Sequence, residues 1–411
     1  MKHSLYLSYD GMTDPLGQSQ VLPYLKGLES LMHFRIISFE KQAKFDSEKD
    51  IISGLIAGTH IEWLPQKYHK FPPVLSTLYD LYRMQRVAEK QYRKQAYQVV
   101  HCRSHLTAVV GLNLKRKFGV KLIFDMRSFY PDERAEGGLW PQSKWLYRVI
   151  YKYFKKKELQ FLQNADHTIV LTQAAEKIIG SWPQFLANKP AMTVIPCMVD
   201  QKHFSRDKVQ QDLRQKFVSE FKLDGNEILL SYLGSVGTWY MLEEMLQFFK
   251  ALKKQKPKSK FLFITPDKPE VILNNARRLG LKDEDFIFKY GKRVEVPTLL
   301  SLSQLSLFFI LPSFSKQASS PTKQGEIMSM GIPVICNSGV GDSDAIILDT
   351  GAGSLVKEFT DKGYEQAIAS IEQLLKADPA KIRAGASKYY SLDEGIARYK
   401  NVYTQLLGEL R

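Results

Sequence analysis

The stretch Ser319-Ser320-Pro321-Thr322-Lys323-Gln324-Gly325-Glu326-Ile327-Met328-Ser329-Met330-Gly331-Ile332-Pro333-Val334-Ile335-Cys336 reads as a short helix marked at both ends and followed by a buried strand. Ser320 is a preferred N-cap, Pro321 suits the first helical position, where an N–H would go unused, and Gly331 can take the positive φ of a C′ residue. The spacing predicts a helix over 321–330. Just upstream, the apolar run Leu305-Ser306-Leu307-Phe308-Phe309-Ile310-Leu311-Pro312 has strand character, so the helix begins beyond the carboxyl end of a strand. Ligands of open α/β sheets gather at that end, and a helix N-terminus offers N–H groups and partial positive charge, so phosphate is the expected guest. Lys323 and Glu326 are i, i+3 neighbours on one face. A cation beside phosphates and a carboxylate that accepts from hydroxyls, as a ribose offers, together describe a nucleotide-sugar diphosphate. The alternative is a surface ion pair worth a few tenths of a kcal/mol.

Outward from this stretch, strand-like and helical runs alternate along the chain. SLYLSYD, FRIISFE, YQVVHCR, VKLIFDM, HTIVLT and MTVIPC read as strands, with a helix at SHLTAVVGLNLKRKF, a long one near 143–164 and another at QAAEKIIGSW. The alternation breaks at Ile195-Pro196-Cys197-Met198-Val199-Asp200 and restarts at EILLSYLG, then runs through KFLFIT, DFIFKYG, LSLFFILP and PVICN with helices between. Such βαβ alternation predicts parallel, doubly wound sheets. The fold class is therefore α/β, with two Rossmann-like domains: 1–200, 201–390, and a C-terminal amphipathic helix, 391–411, that must dock.

At 411 residues the chain exceeds one ordinary core, and 44% hydrophobic with 25% charged residues is ordinary globular composition. Cys102, Cys197 and Cys336 stand in neither disulfide nor zinc spacing, which fits a reducing cytoplasm. Asp10 comes too early for a signal-peptide apolar region, and the longest apolar run, 305–311, cannot span a bilayer. The net charge of +15 is uneven: residues 51–157 hold 20 Lys and Arg against 7 Asp and Glu. That excess calls for an anionic partner. Aromatics interleaved with the basic residues (Trp140, Trp145, Tyr147, Tyr151, Tyr153, Phe154) favour an anionic membrane surface at the inner face over nucleic acid.

The motif Ser320-Pro321-Thr322-Lys323-x-x-Glu326, with Met330-Gly331-Ile332-Pro333-Val334-Ile335, resembles the donor-binding element of the retaining glycosyltransferases of family 4, which have the two-domain GT-B fold. Asp10-Gly11-Met12-Thr13-Asp14-Pro15-Leu16-Gly17 resembles their first βα loop, Asp125 to Arg134 a loop of their acceptor domain, and Ile195-Pro196-x-x-Val199-Asp200-x-x-x-Phe204 their interdomain linker. The resemblance spans the chain. It implies two domains facing a central cleft, with the last helix crossing back to the first domain. It implies a metal-independent, retaining hexosyltransferase that takes a UDP- or GDP-type donor and no cofactor, and that acts on a carbohydrate or lipid-linked glycan acceptor in cell-surface polysaccharide biosynthesis. Catalytic roles would fall to Arg127, Lys323 and Glu326. Donor binding would fall to Gly17, Gly234, Ser235, Thr238, Arg293, Ser319, Ser320, Pro321, Thr322, Lys323 and Glu326, and the acceptor side to Asp125, Arg127, Asp132 and Glu133.

Two departures from the family pattern stand out. Ala318 occupies the position of the family's first glutamate, so a contact to the transferred sugar would come from Lys316, Gln317 or backbone. The Arg and Lys that usually follow the first strand of the second domain are absent from Gly234-Ser235-Val236-Gly237-Thr238-Trp239-Tyr240, leaving their charge to Lys323, Arg293 or Arg127. Arg127 has a second reading as an ion pair with Asp125 or Asp132. Tyr290-Gly291-Lys292-Arg293 could frame the base or be a plain turn, and His101 and His105 read as cap or core residues. Asp342-Ser343-Asp344 reads as a helix N-terminus rather than a metal site. A sugar-nucleotide epimerase of the same architecture would need a carboxylate and a histidine converging on the donor. A dinucleotide dehydrogenase would need G-x-G-x-x-G after the first strand, which reads DGMTDPLG instead. A non-catalytic basic membrane or nucleic-acid binder would use the charge patch alone.

Overall fold

A computed structural model describes residues 1–408; the predicted extension of the last helix to 411 lies outside them. The chain divides into two units, Met1–Pro196 together with the helix that begins at Leu392, and Cys197–Ser391. These limits lie within four residues of the divisions drawn from the sequence. Each unit is built on a parallel sheet with flanking helices, as the alternation predicts.

In the first unit, β1 (Lys2–Ser8), β2 (Met32–Glu40), β3 (Ile61–Lys67), β4 (Val99–Arg103), β5 (Lys121–Met126), β6 (His167–Val170) and β7 (Met192–Val194) lie in the order β3-β2-β1-β4-β5-β6-β7. In the second, β8 (Leu229–Leu233), β9 (Lys260–Ile264), β10 (Phe286–Lys289), β11 (Leu305–Phe308), β12 (Val334–Asn337) and β13 (Gly353–Val356) lie in the order β10-β9-β8-β11-β12-β13. Central strands such as β4, β8 and β11 are buried along their whole length, which is why they lack the polar alternation of a strand with one solvated face. In each sheet the first strand is central and the order reverses beside it, so the crevice beyond its carboxyl end is the place for a ligand. Register sets neighbours there: Ser8 pairs with Arg103 and Arg103 with Asp125 in one sheet, and Leu233 with Ile264 in the other.

The helix Leu392–Leu407 docks on the first unit against the helix Leu22–Gly27, as its apolar spacing requires. Tyr399, Val402 and Tyr403 are buried, and the Tyr403 hydroxyl meets His101 Nδ1 at 2.8 Å. Lys2 Nζ donates to the carbonyl of Leu407, and Arg398 to that of Val194. A Cβ at Gly27 would overlap Ile396, so this close crossing depends on glycine.

Candidate functional site

In the second unit, the chain leaves β11 through a 3-10 turn, Phe314–Ala318, and enters the helix Thr322–Ser329. The predicted N-cap is corrected by the structure. The residue preceding the helix is Pro321, no side chain caps it, and the Ser320 hydroxyl instead accepts the backbone N–H of Cys197 at 3.1 Å. No side chain therefore occupies the first-turn amides, the end of a helix at which anions can bind. The other end follows expectation. Gly331 has φ +71°, its N–H bonds the carbonyl of Met328 and that of Ile332 the carbonyl of Ile327, the paired bonds of a Schellman motif.

Lys323 is 7% exposed and sits in a nest of rings. Its Nζ lies 3.6 Å from the centroid of Tyr240 and 4.2 Å from that of Tyr232, whose hydroxyl accepts a 3.1 Å hydrogen bond from it. Tyr232 donates its own O–H to the carbonyl of Ser235 at 2.5 Å. A Cβ on Gly234 would come within 3.4 Å of the ammonium, and Gly234 has φ +108°, so both space and backbone call for glycine. Burial holds the Lys323 ammonium well below its usual range, with Glu326 pulling the other way. Burial raises the Glu326 carboxyl, opposed by Arg293 and Lys323. Glu326, Lys323, Tyr240 and Gly234 thus form one group, and the Glu326 carboxylate makes no hydrogen bond or ion pair among the described residues.

The remaining predicted donor residues are less uniform. The Ser235 hydroxyl and the Val236 N–H are held by the Asp267 carboxylate, at 2.9 and 2.6 Å, rather than left for phosphate. Thr265 Oγ1 supports the same carboxylate at 3.1 Å. Thr238 is exposed; Ser319 and Thr322 are half-buried and Pro321 is buried at the helix entrance. Arg293 is exposed, stands 5.7 Å over the Phe204 ring and supplies its carbonyl to His203. Ala318 is buried within the 3-10 turn. Asp342 directly precedes the helix Ser343–Thr350, the role read from its sequence. Asp267 was missed because its partners lie 31 and 32 residues away, although Thr-x-Asp at the end of β9 is a loop-capping pattern.

In the first unit, the carboxyl ends of β4 and β5 bring His101, Arg103, Asp125 and Arg127 together. Arg127 takes the ion-pair reading, 3.2 Å from Asp125. Arg103, His101 and the Tyr399 hydroxyl lie 3.8, 3.6 and 3.4 Å from the same carboxylate. Burial opposes ionisation of Asp125, but Arg127, His101 and Arg103 outweigh it and hold the carboxyl far below its usual range. Burial lowers the pKa of the His101 ring, partly offset by Asp125. The Asp132 carboxylate accepts from Tyr151 (2.7 Å) and Lys155 (2.9 Å), and Lys155 continues to Glu158 and His105. Glu133 is half-buried beside it. The Cα of Gly17 packs on the Gly11 carbonyl and Met12, where a Cβ would overlap. The nearby Met12 and Thr13 amides are held by Glu40, at 2.9 and 3.2 Å, a buried carboxylate the sequence reading did not single out.

Residues 214–388 match the family described as "Glycosyl transferases group 1", and residues 26–203 match "Glycosyltransferase Family 4". No curated protein matches the chain. Sucrose-phosphate synthase from Thermosynechococcus elongatus is similar with a TM-score of 0.75 at 16% identity, over 99% of each chain. HepE from Anabaena, in a structure in complex with UDP and glucose, is similar with a TM-score of 0.68 at 14% identity, over 98% of this chain and 100% of that one. WaaG, a glycosyltransferase involved in lipopolysaccharide biosynthesis, gives 0.59 at 14% identity, over 98% and 97%. At these identities the likeness is one of fold, a two-domain α/β architecture of the GT-B kind.

Proposed function

Since the chain belongs to the group 1, family 4 glycosyltransferases, we propose that it moves a hexose, with retention of configuration, from a UDP- or GDP-sugar to a glycan or lipid-linked acceptor in cell-surface polysaccharide biosynthesis. The observation that carries this reading is the grouping of Lys323 and Glu326 beside the Gly234 turn, at the uncapped end of the helix Thr322–Ser329. In this reading the first-turn amides and Lys323 hold the pyrophosphate, and Glu326 accepts from the ribose hydroxyls. As the glycosidic bond to phosphate breaks, negative charge grows on the departing oxygen, and Lys323 stabilises it. That oxygen takes the acceptor hydroxyl's proton on the face where the new bond forms, so neither a side-chain base nor a metal ion is needed. UDP in the HepE structure supports a nucleotide donor by analogy of fold.

A thermal-shift screen of the full chain against UDP, GDP, ADP and their common sugars tests this reading. A diphosphate at a hundred times its Kd should stabilise the native state by about 2.7 kcal/mol. Glu326→Ala is expected to remove the shift while leaving the ligand-free melting temperature near its original value. No shift with any nucleotide, or an equal shift in Glu326→Ala, would retire the assignment.

The acceptor side of the proposal places the enzyme at the cytoplasmic face of a membrane. No helix among the described residues is long and apolar enough to cross one. Support comes from exposed Leu75, Leu78, Tyr79 and Tyr82 on the helix Leu75–Lys94, and from exposed Trp145, Leu146, Val149 and Tyr153 on Trp145–Asn164, interleaved with exposed Arg148 and Lys152. Apolar groups flanked by cations suit an anionic lipid surface. Vesicles containing phosphatidylglycerol are expected to sediment the protein at low salt and release it at high salt, with Trp145→Glu weakening binding. Equal behaviour with purely zwitterionic vesicles would refute the electrostatic part.

A further inference from the structure

Among the described residues, the hydrogen bond of the buried Lys323 ammonium runs to the Tyr232 hydroxyl, at 3.1 Å. A phenol oxygen accepts from an ammonium only while its own proton points elsewhere, and here that proton points to the carbonyl of Ser235, at 2.5 Å. This carbonyl and the Val236 N–H belong to one planar trans peptide unit and face opposite ways. The N–H side is held by the Asp267 carboxylate at 2.6 Å, which also accepts the Ser235 hydroxyl at 2.9 Å and is braced by Thr265 Oγ1 at 3.1 Å. Register explains the meeting: Leu233 pairs with Ile264, so the chain just past β9 lies beside the chain just past β8. The peptide is thus pinned from both sides, and an unbroken line of hydrogen bonds runs from Asp267 through the Ser235–Val236 peptide and the Tyr232 phenol to Lys323. Bonds in such a line polarise one another, so a carboxylate at one end strengthens the acceptor at the other. Burial raises the Tyr232 phenol above its usual range, with Tyr240 and Asp267 adding to it, so the phenol keeps its proton.

We propose that Asp267 is a positioning residue of the donor site: through the Ser235–Val236 peptide and Tyr232 it holds the Lys323 ammonium in place and in its charged form, without touching the ligand. The assignment rests on the reading of Lys323 as the cation for a nucleoside diphosphate. It accounts for a carboxylate in a loop expected to bind phosphate. Asp267 closes the Ser235 hydroxyl and the Val236 N–H to the ligand and uses them to orient the carbonyl on the other side of the peptide. The other ionisable groups that face the ammonium among the described residues are the Tyr240 phenol and, on its own helix, Glu326, which favours the charged form.

Isothermal titration of the full chain with UDP and GDP over a series of pH values tests the assignment in the wild type, Asp267→Ala, Asp267→Asn, Tyr232→Phe and the double variant Tyr232→Phe/Asp267→Ala. Loss of the line should weaken the preferred diphosphate about tenfold in Asp267→Ala. Because the ammonium loses support, the pH at which affinity falls should also move to a lower value. Tyr232→Phe should reproduce both changes, and the double variant should be no weaker than the weaker single one, since both substitutions cut the same line. Asp267→Asn, whose amide oxygen can still accept the Val236 N–H, restores the geometry without the charge. It should recover much of the affinity at low pH while keeping the shifted profile, and it takes the place of alanine in the cycle if that variant does not fold. Asp267→Ala with the affinity and pH profile of the wild type, or single effects that add in the double variant, overturns the role of Asp267 while the donor site stands. Failure of the wild type to bind either diphosphate overturns the donor site itself and this assignment with it.

Discussion

Lys323→Met is expected to slow sugar transfer about 10²- to 10³-fold, the cost of removing one preorganised donor from a developing oxyanion, while leaving the ligand-free protein as stable as before or more so. The two halves of this result come from one fact. The ammonium is 7% exposed, surrounded by Tyr232, Tyr240 and Phe308, and hydrogen-bonded to a neutral phenol. Burying a charge with no ion pair in contact is costly, and Glu326 offsets only part of that cost, so an apolar residue of similar shape relieves the empty site. The pH dependence follows. Burial depresses the Lys323 pKa in the empty site, and pyrophosphate favours the charged form. Affinity for a diphosphate should thus be flat below the depressed value and fall as pH rises through it, with a proton taken up on binding above it. Calorimetry in buffers of different ionisation enthalpy reads that proton. Its persistence in Lys323→Met, where only the phosphate's own titration remains, would assign it to another group. A variant that lost activity and stability together would mark Lys323 as a packing residue.

Asp125→Ala should destabilise the first unit by about 3–5 kcal/mol, the cost of stranding buried charge when one partner is removed. Asp125 is 1% exposed and stands among Arg103, Arg127 and His101; the Nε and Nη1 of Arg103 are buried without hydrogen bonds even in its presence. Because its folded pKa is depressed, the contribution is complete above the unfolded value of about 3.9 and is lost as pH falls through the folded one. Hydrogen exchange of β4 and β5 in the full chain measures the effect without assuming that both units unfold together. Unchanged protection of β5 in the variant would show that the cluster contributes little.

The central strands were legible because burial on both faces leaves short, mostly apolar runs between helical segments. The edge strands β3 and β13 were not. β3 contains Pro65, tolerated only because the strand has a single neighbour, and β13 is four residues long and begins with Gly353. At the site, local signals were readable: Gly331 as the stop, and Lys323 and Glu326 on one face. Ser320 misled because a good N-cap residue can serve another backbone, here that of Cys197. Asp267 and Glu40 escaped because each reaches loop amides some thirty residues away, a distance at which spacing holds no information. At Gly17 a close backbone contact with Gly11 and Met12 already requires glycine, and the sequence pattern does not separate that requirement from an approach to phosphate.

The docking of the last helix onto the first unit has a consequence for biogenesis. The second unit is one uninterrupted segment and can close as soon as it leaves the ribosome, whereas the first, though translated earlier, waits for Tyr399 and Tyr403 to cover Tyr6 and His101. The order of completion is therefore the reverse of the order of synthesis. In the interval the nascent amino-terminal sheet has an uncovered aromatic surface at Tyr6 and His101.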